Sequence, residues 1–218
     1  MTLRGLYLIT PDDADSDRLL ERVAAVLPAK PALLQYRNKR ADATRRFDEA
    51  RALKALCDAA GVPLVINDDW RLALDVDAAG AHLGEDDGDV AEARRVAPGL
   101  LLGASCYDEL ARAEHAVAAG ADYIAFGAFF PTQTKTTTRR ATPELLSAAA
   151  PLRCPRVAIG GLTPDNAAPL VAAGADLLAV VGAVFDAPEP LTAARRFNAL
   201  FDGTPAVAGR TASATSLS

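Results

Sequence analysis

Several polar side chains that could do chemistry stand at the ends of short apolar runs. One run ends in Gln35-Tyr36-Arg37-Asn38-Lys39, and if it is a strand, Gln35, Arg37 and Lys39 point to one side of it. Arginine supplies a planar fork of donors and lysine a compact charge, a pair that suits phosphate oxygens. The spacing predicts a phosphate-binding strand end, and the alternative is an ordinary basic strand end in solvent.

Acidic residues follow the next two runs. Asp68 ends one run and Asp87 comes shortly after the other. Hard oxygen ligands on neighbouring strands suit Mg²⁺, which takes one or two carboxylates together with substrate phosphates and water. The pair predicts a magnesium site, although aspartate is also common in loops and helix caps. We interpret Asp69, Asp86 and Asp89 as such loop or cap residues.

A segment after the sixth run is dense in hydroxyls and cations. It opens with Thr132-Gln133-Thr134-Lys135 and is too long for a mere connection. Its hydroxyls, backbone N–H groups and the Lys135 ammonium predict a second phosphate site. The alternative is a flexible loop of low complexity.

Two glycines, Gly160 and Gly161, end the seventh run. Glycine allows a phosphate to approach the backbone closely. The following Thr163 and Pro164 are typical of a helix start, and a helix N-terminus favours anions. We therefore expect a phosphate here too, the alternative being a tight turn that requires positive φ.

The remaining reactive residue types predict little chemistry. The cysteines, Cys57, Cys106 and Cys154, are odd in number and lack CxxC spacing, which argues against disulfides and a cysteine zinc site. His82 falls inside an apolar run and is expected in the core, whereas His115 is expected on an exposed helix face. No set of side chains indicates nucleophilic catalysis.

These residues must be positioned by a repeating pattern of elements. Most runs are continuously apolar, as expected of parallel strands covered on both faces. The eight predicted strands are 6–10, 32–37, 63–68, 80–84, 100–105, 122–127, 156–161 and 177–183. Helical spacing of apolar residues separates some of them and predicts helices over 43–60, 108–119 and 163–173.

The pattern favours a single (β/α)8 barrel, a fold that can be built from about 200 residues. Glycine recurs at 80, 120 and 174 just before a run, which predicts helix ends in the left-handed conformation. The alternative, an open doubly wound sheet, lacks the expected Gly-x-Gly-x-x-Gly after its first strand. We assign residues 1–201 to the barrel and 202–218, rich in Gly, Ala, Ser and Thr, to a disordered tail.

Composition excludes several classes of protein. Half of the 218 residues are hydrophobic but only 6% are aromatic, which suits helices packed on a buried sheet. The formal net charge of -5 argues against a nucleic-acid partner. No signal-peptide pattern and no run of about 18 apolar residues is present. We therefore expect a cytoplasmic protein with no membrane partner.

Six segments occur in the order found in one enzyme family. They are residues 35–39, 66–69, 82–87, 103–105, 127–135 and 159–162. In these segments, and in the opening Leu-Tyr-Leu-Ile-Thr run, the chain resembles thiamine-phosphate synthase. The resemblance implies a (β/α)8 barrel that joins a pyrimidine diphosphate to a hydroxyethylthiazole phosphate, with or without a carboxyl group, giving thiamine monophosphate and pyrophosphate.

The resemblance also implies roles for residues of this sequence. Those binding the pyrimidine diphosphate would be Gln35, Tyr36, Arg37, Asn38, Lys39, Asn67, Ser105 and Lys135. Those binding the thiazole phosphate would be Thr132, Gln133, Thr134, Gly161, Val181 and Gly182. Mg²⁺ would be held by Asp68 and Asp87. The groups acting on the leaving pyrophosphate or the pyrimidine would be Arg37, Lys39, Ser105 and Lys135.

Two positions depart from the family pattern. Val181-Gly182 stands where many relatives carry Ile-Ser or Val-Ser, so only a backbone N–H remains to bind phosphate there. Glu85 replaces the usual Gln and is not counted as a site residue. The alternatives on the same barrel are a thiazole tautomerase, which should not need the diphosphate and metal residues, and a non-catalytic protein that binds thiamine precursors.

Overall fold

Eight parallel strands close into a barrel in a computed structural model that describes residues 3–131 and 139–202. Each strand pairs with the next along the chain, and the last pairs with the first. The strands are β1 Gly5–Ile9, β2 Leu33–Tyr36, β3 Leu64–Asn67, β4 Gly80–Leu83, β5 Leu101–Tyr107, β6 Tyr123–Gly127, β7 Arg156–Ile159 and β8 Leu177–Val180. The predicted (β/α)8 barrel is confirmed, and the open sheet is excluded.

Helices follow the strands and surround the barrel. They are α1 Ser16–Val26, α2 Ala43–Ala60, α3 Trp70–Asp75, α4 Val90–Val96, α5 Leu110–Ala118, α6 Pro143–Ala148, α7 Ala168–Ala172, α8 Gly182–Phe185 and α9 Pro190–Ala199. An aspartate side chain accepts a first-turn N–H at the start of α1, α2, α3 and α4. Two of these caps are Asp69 and Asp89, as the sequence predicts.

Alternation along each strand separates two apolar layers. In β1, Leu6 and Leu8 pack against the helices, whereas Tyr7 and Ile9 point into the barrel. The interior layer continues through residues of five other strands, with Leu3 below them: Leu33, Val65, Tyr123, Ala125, Val157, Leu177 and Ala179. The strand period of two therefore decides which side chains can reach the mouth of the barrel.

Glycine ends a helix at only some of the predicted positions. Gly120 and Gly174 have φ of 102° and 105° and end their helices as expected. The prediction for Gly80 is wrong, because this residue is the first of β4. A side chain at Gly80 would overlap the backbone carbonyl of Leu101 on β5, so glycine is needed there for close strand pairing.

The chain after β7 begins its helix later than predicted. Oδ1 of Asn166 accepts from the Thr163 N–H at 2.8 Å, and the Thr163 carbonyl accepts from Asn166 and Ala167. These turns occupy the predicted first helical turn, and α7 starts only at Ala168. The expected helix N-terminus beside Gly161 is therefore absent, and the anion argument based on it is wrong.

The end of the chain is described only in part. The predicted eighth strand is too long, because β8 ends at Val180 and Gly182 opens α8. The tail predicted over 202–218 lies, apart from Asp202, outside the described residues. Within the described ranges, every helix is too short or too polar to cross a membrane.

Candidate active site

Two adjoining cavities open at the carboxyl ends of the strands. The larger has a volume of about 540 Å³, and the predicted site residues that line it are Gln35, Arg37, Asn67, Ser105, Gly161, Val181 and Gly182. The smaller has a volume of about 270 Å³ and is lined by Tyr36, Arg37, Asn38, Lys39, Asn67 and Asp68. Because Arg37 and Asn67 line both, one extended ligand can occupy the two cavities together.

The basic end of β2 is held by the loop after β1. Arg37 Nη1 lies 2.8 Å from Oδ2 of Asp12, and Oδ1 of Asp12 accepts from the Lys39 N–H at 2.7 Å. Thr10 Oγ1 accepts from the Arg37 N–H and donates to its carbonyl, each at 2.8 Å. Sequence reasoning missed Asp12, although its place just after the first apolar run was a usable signal.

The proposed metal ligands face each other across β3 and β4. Asp68 has a φ of 65°, and Lys39 Nζ lies 3.7 Å from its Oδ2. Burial and the neighbouring carboxyl group of Asp87 raise the pKa of Asp68 to about 6. Oδ2 of Asp87 accepts from the Gly84 N–H at 3.1 Å.

This pair of carboxyl groups fits a divalent cation. Two facing carboxylates repel each other, which the positive charges of Lys39 and Arg37 offset only in part, and the cost falls when a cation binds between them. No cluster of three or more His, Cys, Asp or Glu side chains that could hold a metal occurs in the described residues. Two acidic ligands nevertheless match Mg²⁺, which fills its other positions with water and substrate oxygens.

The side chains of Tyr36 and Asn38 turn away from the mouth. The Tyr36 hydroxyl donates to Oε2 of Glu49 at 2.7 Å, and Asn38 Nδ2 donates to the same oxygen at 2.9 Å. Both side chains are buried, and Glu49 on α2 is only 2% exposed. Any contact that Tyr36 or Asn38 makes with a ligand is therefore left to the backbone.

Ser105 is joined to the barrel interior through a buried histidine. His82 Nε2 lies 2.9 Å from Ser105 Oγ, and His82 Nδ1 lies 3.2 Å from the Tyr123 hydroxyl. Burial lowers the pKa of His82 to about 4, so the ring is neutral at pH 7. The prediction of a core position for His82 is confirmed, and His115 is exposed as expected.

Two glycines after β7 line the larger cavity. Gly160 and Gly161 have φ of 102° and 64°, so the alternative of a tight turn with positive φ holds. A side chain at Gly161 would overlap the backbone of Phe130 and Pro131, which approach it closely. The four predicted ligands Thr132, Gln133, Thr134 and Lys135 lie outside the described residues.

Comparison with known proteins places the chain in one family. A family model described as thiamine monophosphate synthase matches residues 6–184. Thiamine-phosphate synthase of Azoarcus sp. (strain BH72) is 60% identical, covering 91% of this chain and 98% of its own. That of Xanthomonas campestris pv. campestris (strain 8004) is 58% identical, covering 91% and 96%.

Solved structures extend the comparison. Thiamine phosphate pyrophosphorylase from Pyrococcus furiosus superposes with a TM-score of 0.81 at 32% identity, covering 91% of this chain and 96% of its own. A 3-hexulose-6-phosphate synthase from Salmonella typhimurium, with a TM-score of 0.72 at 18% identity, covers 90% and 97% and shares the fold alone. The sequence match spans most of the barrel, so the chain belongs to the thiamine monophosphate synthase family.

Proposed function

We propose that this chain is a thiamine-phosphate synthase that joins a pyrimidine diphosphate to a hydroxyethylthiazole phosphate and releases pyrophosphate. One observation carries the proposal: Arg37 and Asn67 border both cavities. A substrate with a flat ring and a diphosphate tail can place the ring in the larger cavity and the tail in the smaller. The strong match to synthases, with both candidate metal ligands in place, favours this activity over tautomerisation.

The smaller cavity is suited to the leaving group. Arg37 and Lys39 both line it. Asp12 holds the Arg37 guanidinium and the Lys39 backbone N–H, and the Lys39 ammonium lies 3.7 Å from Asp68. Asp68 and Asp87 would hold Mg²⁺, which when bound supplies positive charge to the diphosphate oxygens. Lys135 is expected to add a further cation from the loop after β6. Together these residues stabilise negative charge on the departing pyrophosphate.

The larger cavity orients the two rings. Gln35 and Ser105 would hold the pyrimidine, and the backbone of Gly161, Val181 and Gly182 would hold the thiazole phosphate, together with Thr132, Gln133 and Thr134. The aminopyrimidine can delocalise positive charge on its methylene carbon as the C–O bond breaks, and the thiazole nitrogen then captures that carbon. No side-chain nucleophile is required, so positioning and electrostatics supply the rate.

The test is release of pyrophosphate by the purified chain with both substrates and Mg²⁺. We expect release that requires both substrates, and we expect Asp68→Ala to abolish it. A tautomerase would interconvert thiazole isomers without release, and a binding protein would bind the substrates without turnover. A folded wild-type chain that releases no pyrophosphate would overturn the proposal.

A further inference from the structure

Five polar side chains form one continuous chain of hydrogen bonds through the barrel interior. We call this chain the interior relay, and its members in order are Gln35, Tyr7, Tyr123, His82 and Ser105. Its links measure 2.6 Å, 2.8 Å, 3.2 Å and 2.9 Å in that order. The two ends, on β2 and β5, line the larger cavity, as do Tyr7 and His82, whereas Tyr123 does not.

The middle of the relay is buried and closely packed. Tyr7 and Tyr123 are 1% and 0% exposed, and His82 is 8% exposed. The His82 ring stacks on Tyr123 with centroids 5.6 Å apart, and Tyr7 meets Tyr123 edge-on at 5.8 Å. Gly103 leaves space for the Tyr123 ring, which a Cβ there would overlap. Within the relay each of these buried donors has an acceptor, as buried polar groups generally do.

Because the members of the relay bond to one another in sequence, the direction of the hydrogen bond at one end sets the direction at the other. A tyrosine hydroxyl accepts one proton and donates another, and a neutral imidazole has one donor nitrogen and one acceptor nitrogen. With the Gln35 amide N–H donating inward, Ser105 accepts from His82 and keeps its own proton for the cavity. With the amide reversed, every proton reverses and Ser105 donates inward. In both arrangements one end offers the cavity a donor and the other an acceptor.

A neutral histidine is essential to this coupling. A cationic ring would donate from both nitrogens and leave Gln35 and Ser105 both as donors to the cavity. The partners of His82 in the relay are the uncharged hydroxyls of Tyr123 and Ser105. The carboxylate of Asp87 favours a cationic ring, but burial in the barrel interior outweighs it and keeps the ring neutral.

We propose that Tyr7, Tyr123 and His82 are positioning residues that give Gln35 and Ser105 opposite hydrogen-bonding polarity, so that the cavity selects a ring offering one donor and one acceptor. An aminopyrimidine meets this requirement, because its amino group donates and its ring nitrogens accept. The choice of ring rests on the proposed function, whereas the polarity rests on the relay alone.

The test compares two substrates in two proteins. The substrates are the pyrimidine diphosphate and an analogue with hydrogen in place of the ring amino group, and the variant is Tyr123→Phe, which breaks the relay outside the cavity lining. We expect the variant to raise KM for the pyrimidine diphosphate about tenfold, as for loss of one buried hydrogen bond. KM for the thiazole phosphate should stay unchanged.

The decisive quantity is the penalty, meaning the factor by which kcat/KM falls when the substrate lacks the ring amino group. In wild type the two ends have opposite polarity, so an analogue that offers only acceptors leaves one of them unpaired, whereas in Tyr123→Phe the Gln35 amide can turn independently of Ser105. We expect the penalty in kcat/KM to be at least about threefold smaller in the variant. Equal penalties in the two proteins would overturn the relay. If wild type releases no pyrophosphate, the same comparison of dissociation constants tests the relay independently of the proposed function.

Further variants distinguish the loss of the relay from a general loss of stability. Should Tyr123→Phe fail to unfold cooperatively, Tyr7→Phe takes its place: it breaks the same relay one link away, at a residue that also lines the larger cavity. Ser147→Ala removes a hydroxyl that donates to the Ala173 carbonyl at 3.2 Å outside the barrel, and it should leave both penalties unchanged. His82→Gln, which also joins a donor to an acceptor, should keep more discrimination than His82→Leu. The reverse order would count against the relay.

Discussion

The Tyr36 hydroxyl and the Glu49 carboxylate form a hydrogen bond of 2.7 Å that fastens the end of β2 to helix α2. Glu49 also accepts from Ser16, Asn38 and Arg45 at 2.7–2.9 Å. Four donors on three chain segments thus converge on one buried carboxylate. This arrangement fixes the backbone on either side of Arg37 before any ligand arrives.

Replacing Glu49 should lower the free energy of unfolding far more than replacing Tyr36. Glu49→Ala leaves Tyr36, Asn38 and Arg45 without their shared acceptor, and we expect it to lower the free energy of unfolding by about 3–5 kcal/mol. Tyr36→Phe removes one donor of the four and should cost about 1 kcal/mol. Urea unfolding measures both. Equal costs for the two variants would contradict a network centred on Glu49.

Asp87 should be needed for the response to magnesium, whereas its neighbour Asp86 should not. Asp87 faces Asp68, and Asp86 is exposed. We expect Asp87→Asn to raise the Mg²⁺ concentration for half-maximal pyrophosphate release at least about tenfold, because one of the two carboxylate ligands is lost. Asp86→Asn carries the same loss of charge one residue away and should behave as wild type. An identical shift in both variants would indicate a diffuse electrostatic effect instead.

Gly161 should affect one substrate more than the other. Its φ of 64° and the close backbone of Phe130 and Pro131 leave no room for a side chain. We expect Gly161→Ala to raise KM for the thiazole phosphate about tenfold or more, since small displacements of binding groups are costly. KM for the pyrimidine diphosphate should change little.

Gly61 offers a matched control for Gly161. It ends α2 with a φ of 67°, and a Cβ there would meet nothing within 4 Å. Gly61→Ala therefore introduces the same backbone strain, about 1–2 kcal/mol, at the opposite end of the barrel. It should lower stability without changing either KM. If Gly61→Ala also changed the KM for the thiazole phosphate, the KM increase in Gly161→Ala would be explained by backbone strain alone.

Much of the site follows from strand alternation in the sequence. The period of two brings Gln35 and Arg37 to the mouth, and the same rule sends Tyr36 to the opposite face, where Glu49 binds it. The order of the strands then brings Asp68 and Asp87 together, because consecutive parallel strands pair in this fold. These features depend on local pattern and on chain order.

Other features depend on contacts between distant segments. Tyr7 and Tyr123 are 116 residues apart in sequence, and nothing near either residue indicates that their hydroxyls meet. The helix start after β7 was wrong because the cap signal at Thr163 forms only a turn, closed by the Asn166 side chain and the Ala167 N–H, and regular helix begins at Ala168. The prediction that Gly80 ends a helix was wrong because close strand packing requires glycine just as a helix end does.

Acid should weaken the fold through Asp13, which is 2% exposed at the start of α1. Arg18 Nε donates to its Oδ2 at 2.9 Å, and this hydrogen bond lowers the pKa of Asp13 to about 2. The folded pKa is thus below the unfolded value of 3.8, so the stabilisation is present above pH 4 and is lost as pH falls towards 2. It amounts to at most about 2 kcal/mol, half of it lost by pH 3.

The measurement is the difference in unfolding free energy between wild type and Asp13→Asn, followed by urea unfolding at several pH values. This difference should shrink by about 1 kcal/mol between pH 5 and pH 3. Asp165→Asn removes an exposed partner from a similar pair, in which Arg196 lies 2.7 Å away. Because solvent screens that pair, its difference should stay below about 0.5 kcal/mol at every pH. A pH-independent difference for Asp13→Asn would show that the buried carboxylate acts through packing and not through its charge.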